Sequence, residues 1–307
     1  MCGIVGFTGR QQAAPVLLDG LSKLEYRGYD SAGVAVNTGN ELEIRKFKGR
    51  LAVLAENLEQ NPIQGGLGIG HTRWATHGEP SDVNSHPHFN MDKTIAVVHN
   101  GIIENYMELK EELQAEGVVF LSQTDTEVVA QLMDYYYKGN PLEAIIKVMN
   151  RVQGSYALGI VFADHPDEVF AVRKDSPLII GKGDRENFIA SDVPAILQYT
   201  RDYYLLDHDE IATLTAEGVS FIDAHLEPIE KELKTADWDM EAAEKGGYDH
   251  FMMKEIHEQP HGLSETLNRR LNDDNTIKLD GITMTKEDIE GFNKVYIVAC
   301  GTAYHAG

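Results

Sequence analysis

The sequence predicts an α+β fold in which stacked, mainly antiparallel sheets are covered by helices. Three observations carry that expectation: strand-like runs scattered through the first hundred residues, amphipathic helical stretches confined to the middle, and a meander of seven short strand-like segments between residues 156 and 222. An alternating parallel fold would interleave strand and helix throughout, and this chain does not.

In order, residues 3–8 read as a short buried strand, and Val16, Leu17, Leu21 and Leu24 then recur at helical spacing toward Tyr26. Strands are predicted at 33–36 and 42–46, a helix at 51–58, and strands at 68–74 and 94–99. Helices follow at 104–116 and 126–137, with Asp125 as N-cap of the second. The meander comprises 156–162, 169–173, 178–181, 188–190, 203–206, 211–215 and 219–222, separated by Gly, Asp and Pro signals. After about Asp223 the composition shifts to Glu and Lys, so a first domain over 2–230 is expected to end in a linker over 231–248. Beyond it, 251–259 and 263–271 look helical, and 294–299 reads as a strand entering Cys300-Gly301-Thr302-Ala303-Tyr304-His305-Ala306-Gly307. A strand ending in such a turn can offer backbone N–H groups to a phosphate; a plain strand-to-helix turn fits equally well.

The 307 residues carry 27 Lys and Arg against 49 Asp and Glu, a formal charge of −22. That balance argues against nucleic acid and anionic membrane surfaces as partners, both of which call for clustered basic side chains. Two cysteines at opposite ends form no disulfide framework, so a reducing cytoplasm is the expected compartment. Neither a membrane-span-length apolar run nor a signal-peptide pattern is present, and only removal of Met1 is expected as processing.

The chemistry starts at Met1-Cys2-Gly3-Ile4. Loss of Met1 would leave a residue bearing both a thiol and a free α-amine, and an amine of that kind titrates at roughly 7.7–8.0, within reach of a thiol that needs a proton acceptor. A small apolar residue opening a buried strand is the competing reading. Arg73, at a strand end and followed by Trp74, Thr76 and His77, suits a guanidinium clamp on a carboxylate, or is a solvated surface arginine. Asn100-Gly101 follows the apolar strand 95–98; an Asn amide beside a Gly N–H makes an oxyanion hole, and Asn-Gly is also the commonest tight hairpin turn. Asp125, within 122–127, can hold an ammonium or cap a helix. His71, His77, His86, His88 and His99 cluster in sequence, yet their spacing matches no metal signature and no cysteine joins them, so no metal is expected.

Read in this order behind an N-terminal Cys-Gly-Ile, the segments 26–33, 71–80, 84–88, 99–105 and 124–127 resemble the class II glutamine amidotransferases, which are N-terminal-nucleophile hydrolases. Within that group they are similar to the branch that passes ammonia to fructose 6-phosphate. The resemblance runs from Cys2 to Gly307. It implies a four-layer α-β-β-α sandwich of two stacked sheets, followed by a linker and, over 249–307, the truncated beginning of an α/β sugar-isomerase domain. It implies that Cys2 attacks the side-chain amide of glutamine, that Asn100 and Gly101 stabilise the oxyanion, and that Arg73, Trp74, Thr76, His77 and Asp125 bind the substrate under a lid formed by 74–80. Arg27 would orient Asn100 or Cys2, or pair with Asp30. Gly301 and Thr302 would belong to a sugar-phosphate loop, in which Ala303 replaces the usual serine; Gln123 likewise replaces an acidic residue. No cofactor is implied. L-Glutamine is the expected substrate of this chain, with fructose 6-phosphate and a homodimer expected only of a longer protein. An amidotransferase with a different acceptor domain, such as one using phosphoribosyl pyrophosphate, and a non-catalytic glutamine-binding module are the alternatives; the 300–307 turn speaks against the first.

Overall fold

The computed structural model describes residues 2–39, 41–236, 246–272, 274, 276–279, 281–282 and 284–307. It divides into two units, Met1–Glu244 and Lys245–Gly307.

Among the described residues of the first unit, fifteen strands build two sheets. Strands β1 (Gly3–Gly9), β2 (Ser31–Asn37), β3 (Leu42–Lys48), β4 (Leu67–Arg73), β9 (Ile179–Lys182), β10 (Glu186–Ala190), β11 (Asp202–Leu205) and β15 (Lys234–Thr235) form one, ordered β15-β11-β9-β10-β1-β4-β2-β3. Strands β5 (His88–Phe89), β6 (Ile95–Ile103), β7 (Gly154–Phe162), β8 (Val169–Lys174), β12 (Ile211–Leu214), β13 (Val219–Ile222) and β14 (Pro228–Ile229) form the other, ordered β14-β13-β12-β8-β7-β6-β5. Neighbouring strands run antiparallel, as β1 does against both β4 and β10.

Three apolar layers follow from strand alternation, since successive side chains point to opposite faces. Val5 and Phe7 of β1 pack with Leu17 and Leu21 of α1 (Ala13–Ser22) and Leu54 of α2 (Leu51–Gln60). Val97 of β6 and Leu158 and Ile160 of β7 pack with Leu109 of α3 (Tyr106–Ala115), Val129 and Met133 of α4 (Glu127–Tyr136) and Ile145 of α5 (Pro141–Met149). Between the sheets, Ile4, Ala35 and Ile69 meet Val98, Ala157 and Val161. Helix, sheet, sheet and helix thus stack as four layers, in agreement with the anticipated α+β sandwich. Both faces of each sheet are buried, which is why the strands read as apolar runs and not as alternations.

Several details differ from expectation. Helix α5 was not foreseen, although Asn140 caps it by accepting from the N–H groups of Leu142 and Glu143 with Pro141 at the first turn. Asp125 does not cap α4; Thr126 occupies that position, and the Glu127 carboxylate instead accepts from the N–H groups of Leu121 (2.8 Å) and Ser122 (2.5 Å). In the second unit the two helical stretches are one helix, Phe251–Asn268, that runs through Pro260. Residues 294–299 do not form a strand: among the described residues no strand lies beside them, and Val295, Tyr296 and Val298 are exposed. An extended apolar run becomes a strand only with a ladder partner. No helix among the described residues is long and apolar enough to cross a membrane.

Candidate active site

The site forms where the space between the two sheets opens at one end. Ile4, Ile69 and Val98 fill that space, so by strand periodicity Cys2, His71 and Asn100, two residues from them, and Arg73, four residues from Ile69, are directed toward the same side. Register then brings them together. Gly3 sits opposite Thr72 and Ile4 opposite His71, while Ser191 locks the start of β1 by accepting from the Ile4 N–H through Oγ (3.0 Å) and donating its own N–H to the Ile4 carbonyl (3.0 Å).

Cys2 lies immediately before β1 and is partly buried. Burial raises its thiol pKa, and the Trp74 N–H, 3.2 Å from Sγ, works in the opposite direction. A thiol raised by desolvation needs a base to become a nucleophile.

Asn100-Gly101 is not a hairpin turn. Strand β6 continues through it to Ile103, with Asn100 opposite Ala157 and Gly101 opposite Tyr156 on β7. On the other side β5 reaches only Ala96 and Val97, which leaves this stretch of β6 open toward the cavity. Gly101 adopts φ +133°, and a Cβ there would stand 2.0 Å from the Ser155 carbonyl oxygen, so glycine is required. The Asn100 amide is oriented at both ends: Nδ2 donates to the Cys2 carbonyl (3.1 Å) and Oδ1 lies 3.0 Å from His71 Nε2.

Arg73 closes the end of β4 and is 3 % exposed. Its Nη2 donates to the carbonyls of His77 and Gly78, folding the 74–80 loop around the guanidinium, and Nη1 has no hydrogen-bond partner among the described residues. Burial lowers its pKa, the direction taken by a cation short of compensation. The loop is tied down again by Ala75 N–H to Asp30 (2.8 Å) and by Asn84 Nδ2 to the Glu79 carbonyl (2.9 Å). Asp125 is 4 % exposed; one oxygen accepts from the Ile103 N–H (2.9 Å), and the other lies 3.8 Å from His77 Nδ1.

Cys2, Arg73, Trp74, Thr76, Asn100, Gly101 and Asp125 line one cavity of about 350 Å³. His77 stands beside it through its contact with Asp125. Arg27 also lines the cavity, but its guanidinium pairs with Asp192 and its Nε donates to the Tyr26 hydroxyl (3.0 Å). Its ion-pair partner is thus Asp192, brought alongside by the loop after β10, and not Asp30, which accepts from the Ala75 N–H. Ser155, Ser176 and Pro177 also face the cavity, and a serine at a strand start or in a loop gives no sequence signal of such a position.

Behind Asn100, four histidines are buried together. His71 lies on His86 (4.1 Å between centroids, 15° between planes), and His86 meets His88 edge-on at 4.7 Å. His86 Nδ1 accepts from the His99 N–H (3.3 Å), His88 Nε2 bonds Thr124 Oγ1 (3.0 Å), and His99 Nδ1 bonds Thr126 Oγ1 (2.8 Å). Burial holds all four well toward the neutral form, His71 down to about 3. Among the described residues no three His, Cys, Asp or Glu side chains converge as metal ligands. In the second unit, Gly301 opens a helix, Gly301–Ala306, and is exposed; the Thr302 side chain lies outside the described residues.

Residues 71–198 match the family described as "Glutamine amidotransferase domain". The whole chain is 60 % identical to the glutamine–fructose-6-phosphate aminotransferase (isomerizing) of Clostridium acetobutylicum and covers 50 % of it. It is 50 % identical over 308 residues to the enzyme of that name from Thermus thermophilus, again covering 50 % of the relative. The chain thus spans about half the length of the curated relatives it matches. Among solved structures, the glutamine phosphoribosylpyrophosphate amidotransferase of B. subtilis superposes with a TM-score of 0.64 at 26 % identity, over 73 % of this chain and 49 % of that one. Its two stacked sheets and the cavity at the start of β1 thus accompany a region, residues 71–198, that matches the glutamine amidotransferase domain.

Proposed function

We propose that this chain hydrolyses L-glutamine to L-glutamate and ammonia through a thioester on Cys2. The observation that carries this reading is a buried arginine, its Nη1 without a hydrogen-bond partner among the described residues, lining the same cavity as a thiol, a carboxylate and an Asn-Gly donor pair. Glutamine supplies a carboxylate for Arg73, an ammonium for Asp125, and an amide carbonyl for the opposite end of the cavity.

After Met1 is removed, the α-amine of Cys2 takes the thiol proton and Sγ attacks the amide carbon. The carbonyl π electrons move to oxygen, and the Asn100 Nδ2–H and Gly101 N–H hold that charge. The ammonium then returns its proton to the leaving nitrogen, the C–N bond breaks and ammonia departs. Water, deprotonated by the same amine, attacks the thioester, and the C–S bond breaks to release glutamate. Glutamine and glutamate share the α-amino acid head, so contacts of Arg73, Thr76, His77 and Asp125 set position, whereas the oxyanion donors act on the transition state. Trp74 and the rest of the 74–80 loop cover the site and exclude water.

The same reading assigns residues 2–230 to the glutaminase, 231–248 to a linker and 249–307 to the beginning of a sugar-isomerase domain, with Gly301 and Thr302 in its phosphate loop. In a longer cytoplasmic, homodimeric protein the ammonia would pass to fructose 6-phosphate to give glucosamine 6-phosphate. Support for that acceptor comes from the two aminotransferases above, whose length is about twice that of this chain.

The test is intact mass with and without 6-diazo-5-oxo-norleucine, alongside glutamate release, for wild type and Cys2→Ala. Loss of Met1, one adduct on Cys2 and turnover abolished in the variant are expected. A trimmed, folded chain with neither adduct nor turnover would refute the proposal and leave a glutamine-binding module.

A further inference from the structure

The oxyanion donor Asn100 can serve only if its amide faces the nucleophile nitrogen-first, and oxygen and nitrogen of a carboxamide are nearly equal in size, so packing alone does not choose between them. The choice is made by hydrogen bonding. His71 Nε2 lies 3.0 Å from Asn100 Oδ1 and 3.0 Å from the His99 carbonyl oxygen. A carbonyl oxygen only accepts, so Nε2 carries the proton and donates to both. Turning the Asn100 amide over would set NH₂ against that N–H, and the amide oxygen against the Cys2 carbonyl that Nδ2 now reaches at 3.1 Å. One flip thus replaces two hydrogen bonds with two repulsive contacts.

The imidazole is itself held in place. It is 1 % exposed, stacks on His86, and rides on β4 two residues before Arg73, so it bridges the eight-stranded sheet to β6 of the other. Its Nδ1 has no hydrogen-bond partner among the described residues. A buried polar atom left in that state indicates a ring kept for its other nitrogen and not for stability.

We propose that His71 is a positioning residue of the glutaminase: its Nε2–H fixes the sense of the Asn100 carboxamide, so that Nδ2 faces the Cys2 nucleophile. It touches no substrate and acts through Asn100. Because burial keeps the ring neutral, it adds no charge behind the oxyanion site. The inference rests on the oxyanion role given to Asn100 under Proposed function.

The experiment compares glutamate release by the full chain carrying His71→Gln, His71→Asn, His71→Leu, Asn100→Ala, or Asn100→Ala with His71→Leu. A Gln amide N–H reaches the place of Nε2, an Asn amide reaches only that of Nδ1, and Leu fills the volume with no donor. Expected are a kcat lowered about 10- to 100-fold by Leu and by Asn, a KM held within about threefold, and recovery of most of the rate by Gln. In the Asn100→Ala background His71→Leu should cost less than about threefold more, because its target is already gone. The Gln and Asn pair decides the matter even if the Leu chain does not fold. Equal losses in Gln and Asn, losses that multiply in the double variant, or a loss carried by KM would overturn this inference while leaving the glutaminase reading intact. An inactive wild type would overturn both, and an Asn100→Ala chain with full activity would overturn this inference together with the oxyanion role given to Asn100.

Discussion

Gly101→Ala places one methyl group where the backbone admits none. The new Cβ would stand 2.0 Å from the Ser155 carbonyl oxygen and 3.0 Å from His99 Nε2, against an ordinary carbon-to-oxygen approach of about 3.3 Å. Either β6 or the Ser155 peptide must therefore move by about 1 Å, and alanine must also occupy φ +133°. Backbone strain of about 1–3 kcal/mol and overpacking of about 1–3 kcal/mol together give a destabilisation of roughly 2–6 kcal/mol. For a domain of this size the middle of that range lowers Tm by roughly 8–16 °C. On the proposed mechanism the same displacement carries the Gly101 N–H away from the oxyanion, and losing one such donor costs about 10²–10³ in kcat. The contacts expected to bind the amino acid head belong to Arg73 and Asp125, on other elements, so KM should stay within about threefold. Steady-state glutamate release, measured well below the lowered Tm and paired with thermal unfolding, separates the two effects. A variant with reduced Tm but wild-type kcat would refute the assignment of Gly101 to the oxyanion site.

Other consequences concern binding, acid and proteolysis. Arg73→Lys removes the planar fork and should raise KM for glutamine about 10- to 100-fold with a smaller change in kcat; an unchanged KM would remove Arg73 from the carboxylate site. Asp125→Asn keeps an oxygen for the Ile103 N–H but loses the charge, so KM should rise about tenfold and inhibition by glutamate should weaken in parallel; retention of both would exclude an ammonium contact. His71, His86, His88 and His99 bind protons near 6.5 when unfolded and at lower pH when folded, so stability is complete above about pH 6.5 and is lost as pH falls toward the folded values. At pH 4.5, two units below the unfolded value, His71 alone accounts for a loss of about 3 kcal/mol, and a urea midpoint unchanged between pH 7 and 4.5 would contradict neutral buried histidines. Residues 294–298 hold exposed Val295, Tyr296 and Val298, so limited chymotrypsin digestion should cut at Tyr296 before any site in residues 2–236; the reverse order would show that this segment is covered.

The parts of the site that could be read from sequence are those that short spacing encodes. Arg73 at a strand end and Asn100-Gly101 after an apolar run are local patterns, and the structure brings both to the cavity that Cys2 lines. Pairings between distant segments were not readable: Arg27 meets Asp192 from 165 positions away, and no spacing announces it. His71 was visible as a residue but not as the anchor of Asn100, because that bond joins strands of different sheets. Asp125 shows local logic failing for a physical reason. A carboxylate before a helix ordinarily caps it, yet here the Ile103 N–H draws it inward, and the Glu127 carboxylate binds the N–H groups of the preceding loop. For 294–299 the error ran the other way, since apolar β-formers marked a strand that has no neighbour among the described residues. Helix α5 carries its own signature in Asn140-Pro141 and the spacing of Ala144, Ile145 and Val148.

The first strand of the chain is an interior strand of its sheet, and this has a consequence in time. Its partners are β4, completed at Arg73, and β10, completed at Ala190. During synthesis the segment that bears Cys2 therefore has no second neighbour until about 190 residues have been made, which at ribosomal speed takes roughly 10–40 s. Throughout that interval one flank of the first strand stays open, and only afterwards does β10 close over it. On the proposed mechanism, in which the Cys2 amine must be free, the order in which strands are translated would leave that end accessible for trimming before the sheet closes.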